Sequence, residues 1–179
     1  MKKEIPIDHA NRLLNHGPLV LVTSTYKDKT NVIPVAWQTP VSVSPLLIAI
    51  AVSQNAFSLD LIEKGEEFVI NIPAVNLLEK VKFCGTHSGA KIDKLKETGL
   101  TPIKAHRVRP PLIEECIGHL ECQLYKTFPV GDHKLFIGAV ISVSVDEDKF
   151  DVCLRADREG AKTIHHLGGD FYLSSGSLI

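Results

Sequence analysis

The sequence predicts a mainly β fold, an antiparallel barrel with short helices at its ends. Three observations lead there. Segments 117–128 and 134–145 each alternate apolar with polar or small residues, the mark of strands with two distinct faces. Leu46 to Val52 is seven consecutive apolar residues, which suits a strand buried on both faces. Short helical stretches interrupt the strands without a regular strand–helix–strand repeat, so a parallel sheet is disfavoured.

In chain order, Asp8 can cap a short helix over 10–16, ended by Gly17-Pro18. Segments 19–26 and 31–39 read as a hairpin across the polar turn 27–30. Three prolines, Pro34, Pro40 and Pro45, remove ladder donors, so this region is bent or at a sheet edge. Pro40 and Pro45 bracket a bend, and the strand 46–53 follows. A helix over 56–64 stops at Gly65, and 66–73 is a further strand. Asn76 can cap a helix over 77–83, and the loop 84–89 follows with two glycines and two hydroxyls. A short helix over 92–98 stops at Gly99, and Pro102, Pro110 and Pro111 mark an irregular or edge passage. The two long strands meet across a turn at 129–133. Phe150 to Leu154 is a short strand, and 155–162 is charged and exposed. The tail 165–172 carries histidines, aromatics and Gly168-Gly169.

The 179 residues suffice for one well-cored domain over 1–179, and neither repeat nor linker divides them. The net charge of −1, with cations spread throughout, argues against a nucleic-acid partner. No apolar run approaches the ~20 residues of a membrane helix. The first residues lack the apolar core of a signal peptide, which predicts a cytoplasmic protein. Cys84, Cys116, Cys122 and Cys153 are then free thiols. Cys116 and Cys122 share a face if one strand carries both.

Candidate chemistry is sparse. Neither a Rossmann fingerprint nor a Walker loop is present. The loop Cys84-Gly85-Thr86-His87-Ser88-Gly89, with Lys91, offers backbone N–H groups, hydroxyls and a cation to an anion; a solvated turn has the same composition. Cys84 and His87 supply only two ligands, so no metal site is complete. A Cys–His nucleophile lacks an orienting third group. Trp37, the single tryptophan, stands beside Gln38 and Thr39 on a strand with free backbone groups. It suits either a flat, polar-edged ligand or a core or interface role. His133 lies in the turn after Gly131-Asp132.

The chain resembles the flavin reductase-like family, the FMN-binding split barrels that include flavoredoxin. Asn31, Ala36-Trp37, Ser42-Val43-Ser44-Pro45, the apolar 46–52 and Ser58-Leu59-Asp60-Leu61-Ile62 carry the likeness. So does the loop with Cys84-Gly85, Ser88-Gly89 and Asp93-Lys94. Leu46 stands where the family has a second proline, and Ser58 where it has threonine. The likeness runs from Pro18 to Tyr172. It implies a homodimeric split barrel that binds FMN noncovalently, with NAD(P)H or a redox protein as partner. It implies a flavin or ferric reductase; an electron carrier and a non-redox binding barrel are the alternatives. The implied FMN contacts are Val35, Ala36, Trp37, Gln38, Thr39, Ser53, Asn55 and Ser58, then Gly85, Ser88, Gly89, Lys91, His133 and Phe171. Lys94 is the alternative to Lys91, and Tyr172 to Phe171. The flavin supplies the chemistry, so no side chain is expected to act as a catalyst and no metal is expected.

Overall fold

The computed structural model describes residues 5–176. A 3-10 helix, Ile7–Leu13, opens the described chain. It replaces the helix expected over 10–16; Pro6 precedes it, and no side-chain cap forms, from Asp8 or otherwise. β1 (Val20–Tyr26) and β2 (Lys29–Val35) form the expected hairpin. The strand expected over 31–39 is two strands. The chain leaves the ladder at Ala36-Trp37 and resumes as β3 (Gln38–Val43), paired with β4 (Leu46–Ser53). Pro34 lies in β2 and Pro40 in β3, the two edge strands, where a missing N–H costs least. The bend expected from Pro40 is a register shift between Pro40 and Ser42.

α1 (Phe57–Gly65) leads into β5 (Glu67–Ile72). A 3-10 turn, Val75–Leu77, precedes α2 (Leu78–Thr86), again without a side-chain cap. α2 runs three residues past the expected end, so Cys84 to Thr86 are its last turn rather than loop. α3 (Lys94–Thr98) starts later than expected, because the Asp93 carboxylate accepts from the Lys96 N–H at 3.2 Å and caps it there. It ends at Gly99 in the left-handed conformation.

β6 (Pro102–Ile103) and β7 (Leu112–Ile113) form a small separate ladder. β8 (Gly118–Val130) and β9 (His133–Val145) are the long pair, joined by Gly131-Asp132 alone, so His133 is the first strand residue. The strand expected over 150–154 is one isolated bridge. β10 (Ile164–Gly168) and β11 (Phe171–Ser174) form the tail hairpin.

The main sheet has the order β2-β1-β5-β8-β9-β4-β3, with every neighbour antiparallel. Its period of two sorts β1 onto two cores. Val20 and Val22 enter the barrel with Ile50, Phe68 and Phe136. Leu19 and Leu21 face the other way, onto Val81 and Leu95 of the flanking helices. Cys122 belongs to the barrel and Cys116 to the outer core, since Cys116 precedes β8 and does not share its face. In β4, Ile48 to Ile50 and Val52 are buried, but Leu46 is exposed. Gly138 is required: a Cβ there would stand 2.4 Å from the Phe68 ring, which packs across the barrel.

Candidate functional site

The break between β2 and β3 creates one side of a cleft. Val35, which ends β2, and Ala36 and Trp37, where the chain has left the ladder, line it. The opposite wall is the end of α2 and the loop after it, Gly85 to Gly89. That loop sits close because Gly89 has no side chain: a Cβ would stand 2.0 Å from Asn31 Oδ1. Asn31 is buried and donates through Nδ2 to Ser58 Oγ at 3.0 Å; Ser24 Oγ donates to the same oxygen at 3.2 Å. This buried polar knot fixes the seat of the loop.

The floor comes from the end of β4. Ser53 pairs in register with His133 of β9, and Asn55 follows. His133 stands beside Trp37, ring centroids 4.7 Å apart and planes at 37°. Its Nδ1 is 2.7 Å from the Asp132 carboxylate, and that contact holds the Asp132 carboxyl below its ordinary range. The cleft encloses about 680 Å³. That lies within the range of small-molecule sites, roughly 300–1,000 Å³.

Its chemistry favours an anion. Arg12, Lys94, His87, His133 and His166 line it against a single acid, Asp8. Lys94 is the unusual member, only 4% exposed. Its ammonium donates to the Cys84 carbonyl at 2.6 Å and the Val32 carbonyl at 3.1 Å. An ammonium has three donors, so one is uncommitted in a residue that lines the cleft. Burial lowers the Lys94 pKa, and it pushes the neighbouring Cys84 thiol up to about 11. Cys84 is therefore a neutral thiol, not a nucleophile. Among the described residues, no cluster of His, Cys, Asp or Glu is placed to hold a metal ion.

Of the fourteen residues the sequence nominates, nine line this cleft: Val35, Ala36, Trp37, Ser53, Asn55, Gly85, Ser88, Gly89 and His133. Five do not. Gln38 and Thr39 lie on the far side of Trp37, in a smaller adjoining hollow. Ser58 is fully buried behind the loop, where its hydroxyl serves Asn31 and Ser24. Lys91 opens onto a second cleft beyond Gly89. Phe171 is 70% exposed and stands apart, while Tyr172 packs on the outer core and against His166. Sequence reasoning missed Asn11, Arg12 and Asn15, which come from the opening segment, and His166 from the tail. Only the distinctive composition of that tail pointed its way.

The model of the flavin reductase like domain matches residues 13–164. A relative is protein YddH of Escherichia coli K12, uncharacterized, 33% identical over 186 residues, covering 100% of this chain and 98% of that protein. The fold matches flavoredoxin of Desulfovibrio vulgaris (Miyazaki F) with a TM-score of 0.89 and 24% identity, over 100% of this chain and 96% of that one. It also matches nitrilotriacetate monooxygenase component B of Bacillus cereus, TM-score 0.88 and 23% identity, over 100% and 98%. Among the described residues no helix is long and apolar enough to cross a membrane. The domain match spans most of the chain, and this protein belongs to the flavin reductase-like family.

Proposed function

We propose that this protein binds FMN noncovalently in the cleft and is a flavin-dependent oxidoreductase, with NADH or NADPH as reductant and a flavin or ferric acceptor. The observation that carries the reading is one cleft that pairs a flat aromatic wall with a cationic one. Trp37 and His133 would flank the ring system, and Ser53 and Asn55 offer polar groups to its edge. Thr86, Ser88 and Lys94 would hold the phosphate through hydroxyls and charge. Of the two lysines considered for that role, Lys94 fits better, because it stands on this cleft and Lys91 on the next. Ser58 acts by positioning, through Asn31. The flavin, when bound, supplies the electron chemistry, and the protein supplies placement and electrostatics. The names of the structural neighbours, a flavoredoxin and a monooxygenase component, agree with a redox role.

A homodimer is part of the proposal. Apolar side chains near the end of β9 are exposed: Ile141 is 45%, Val143 60% and Val145 37% exposed. Val41 and Val43 on β3 are exposed too. Exposed apolar surface of this kind calls for a partner surface, and a second copy supplies one. The four unpaired thiols suit a reducing compartment such as the cytoplasm.

Titrating the flavin-free protein with FMN tests the binding, and anaerobic NADH or NADPH tests the reaction. Bound FMN that bleaches with either nucleotide supports the reductase. Bound FMN that bleaches only with a reduced protein partner makes it an electron carrier. Failure to bind FMN leaves a non-redox barrel and overturns the proposal.

A further inference from the structure

The opening segment forms part of the wall of the first cleft, and its amphipathic sense is inverted. Asp8, Asn11, Arg12 and Asn15 line the cleft, at the spacing of one helical face. Ile7, Leu13 and Leu14 are instead 93%, 68% and 82% exposed. A short helix draws its stability from packing an apolar face, yet the 3-10 helix Ile7–Leu13 buries no residue and has no side-chain cap. Its backbone bonds are local: the His9 N–H donates to the Pro6 carbonyl, and those of Leu14 and Asn15 to Asn11. The anchor comes later in the chain. Pro18 bridges His165, His165 Nδ1 stands 2.7 Å from the His16 carbonyl, and the Leu19 N–H donates to the Ile164 carbonyl at 2.7 Å. Arg12 lies against Gly168, where a Cβ would stand 3.1 Å from its Nε. Among the described residues the Arg12 guanidinium joins no ion pair.

Little within the protein holds this segment, so its seat depends on what fills the cleft. We propose that residues 7–15 are a strap that closes over the ligand of the first cleft, with Asn11, Arg12 and Asn15 as its ligand-binding groups. The inference rests on the flavin reading of that cleft, so the ligand is FMN. The two amides suit the polar oxygen and nitrogen atoms of that molecule, and the guanidinium adds a charge-assisted bond. Asp8 shares the face and offsets part of the Arg12 charge. The coupling is reciprocal: FMN holds the strap down only by as much as the strap's contacts add to FMN affinity. The strap is seated when the cleft is filled and released when it is empty.

Trypsin cleavage after Arg12, followed by mass spectrometry in flavin-free and FMN-saturated protein, tests the strap. Arg158, exposed and outside the cleft, is the control site. FMN should slow cleavage at Arg12 about tenfold and change that at Arg158 by less than about twofold. Arg12→Ala should raise the Kd for FMN about tenfold. Asn11→Ala combined with Asn15→Ala should raise it about fivefold and shrink the protection at Arg12 by a similar factor. None of the three side chains is buried, so their removal leaves the core intact. FMN that binds by absorbance while Arg12 is cut equally fast in both states overturns the inference and leaves the flavin reading standing. Equal protection of Arg12 and Arg158 overturns it in the same way, since the whole fold would then be stabilised, and so does an unchanged Kd in both variants. Failure to bind FMN overturns both readings.

Discussion

Among the described residues, Glu121 and Lys94 are the two buried charges held by backbone atoms, and they serve different ends. Glu121, on β8, is 1% exposed and faces the passage between α3 and β7. Its carboxylate accepts from the backbone N–H groups of Arg107 at 2.6 Å, His106 at 3.1 Å and Val108 at 3.2 Å. It does not line any of the clefts described above, and its carboxylate is engaged by that loop and by Ser142 of β9. Lys94 gives two of its three donors to carbonyls, has one uncommitted, and lines a cleft that favours anions. A buried charge whose capacity is spent within the fold is structural; one with capacity left over at a concave surface is available to a ligand.

Removing each charge should separate the two roles. Glu121→Ala removes the acceptor of three backbone N–H groups, one buried (Val108) and two part-buried (His106 and Arg107). Stranding the buried one costs about 1–3 kcal/mol, and chemical denaturation should show a loss of about that size. FMN affinity of the folded fraction should not change. The effect depends on pH. Burial alone would raise the Glu121 carboxyl, but the N–H donors of Arg107 and His106 and their neighbours prevail and hold it below its ordinary value. A folded pKa below the unfolded one gives stability that is present above about pH 4.3 and is lost as pH falls through the folded value. Glu121→Gln should flatten that acid limb.

Lys94→Met should act on binding. Loss of a charge-assisted bond to the phosphate, roughly 1.5–3 kcal/mol, weakens FMN by about tenfold to a hundredfold. Riboflavin, which lacks the phosphate, should change little. Equal losses for both ligands would return Lys94 to the structural class and erase the contrast with Glu121. The alkaline side sharpens the point. Burial lowers the Lys94 pKa, so the unfolded chain binds more protons between the folded value and the ordinary lysine value, and wild-type stability gains there as pH rises. FMN affinity should fall over the same range as the ammonium is lost, and riboflavin affinity should not.

The smallest effect belongs to His133. A histidinium beside the ring would favour the more negative, reduced flavin, and the Asp132 carboxylate beside it offsets part of that charge. His133→Ala should lower the midpoint potential, and Asp132→Asn should raise it. Coupling of one pKa unit is about 1.4 kcal/mol, or about 30 mV for a two-electron couple. Potentials measured at two pH values check both signs.

Much of the barrel was legible because its rule is local. The alternation in 117–128 and 134–145 located β8 and β9 to within a few residues, and Gly131-Asp132 marked their turn. The break at Ala36-Trp37 was not legible, since the edge prolines signal a bend without saying where the ladder stops. Half the cleft was readable for a similar reason: residues 85–89 are consecutive, and a single loop delivers them together. Arg12 and His166 were not readable, because the opening and closing segments meet only in the fold; a Cβ on Gly168 would stand 3.1 Å from Arg12 Nε. Ser58 shows the opposite failure. Its hydroxyl fits a cofactor contact, and only burial reveals that Asn31 uses it instead.

The central claim is that the flavin sits in the cleft between Trp37 and the loop after α2. Trp37 is the chain's single tryptophan, so all tryptophan emission comes from the wall of that cleft. Adding FMN to the flavin-free protein should quench this emission in a saturable titration, with a midpoint that matches the change in flavin absorbance. FMN that binds by absorbance while the Trp37 emission stays constant would place the flavin elsewhere and contradict the account.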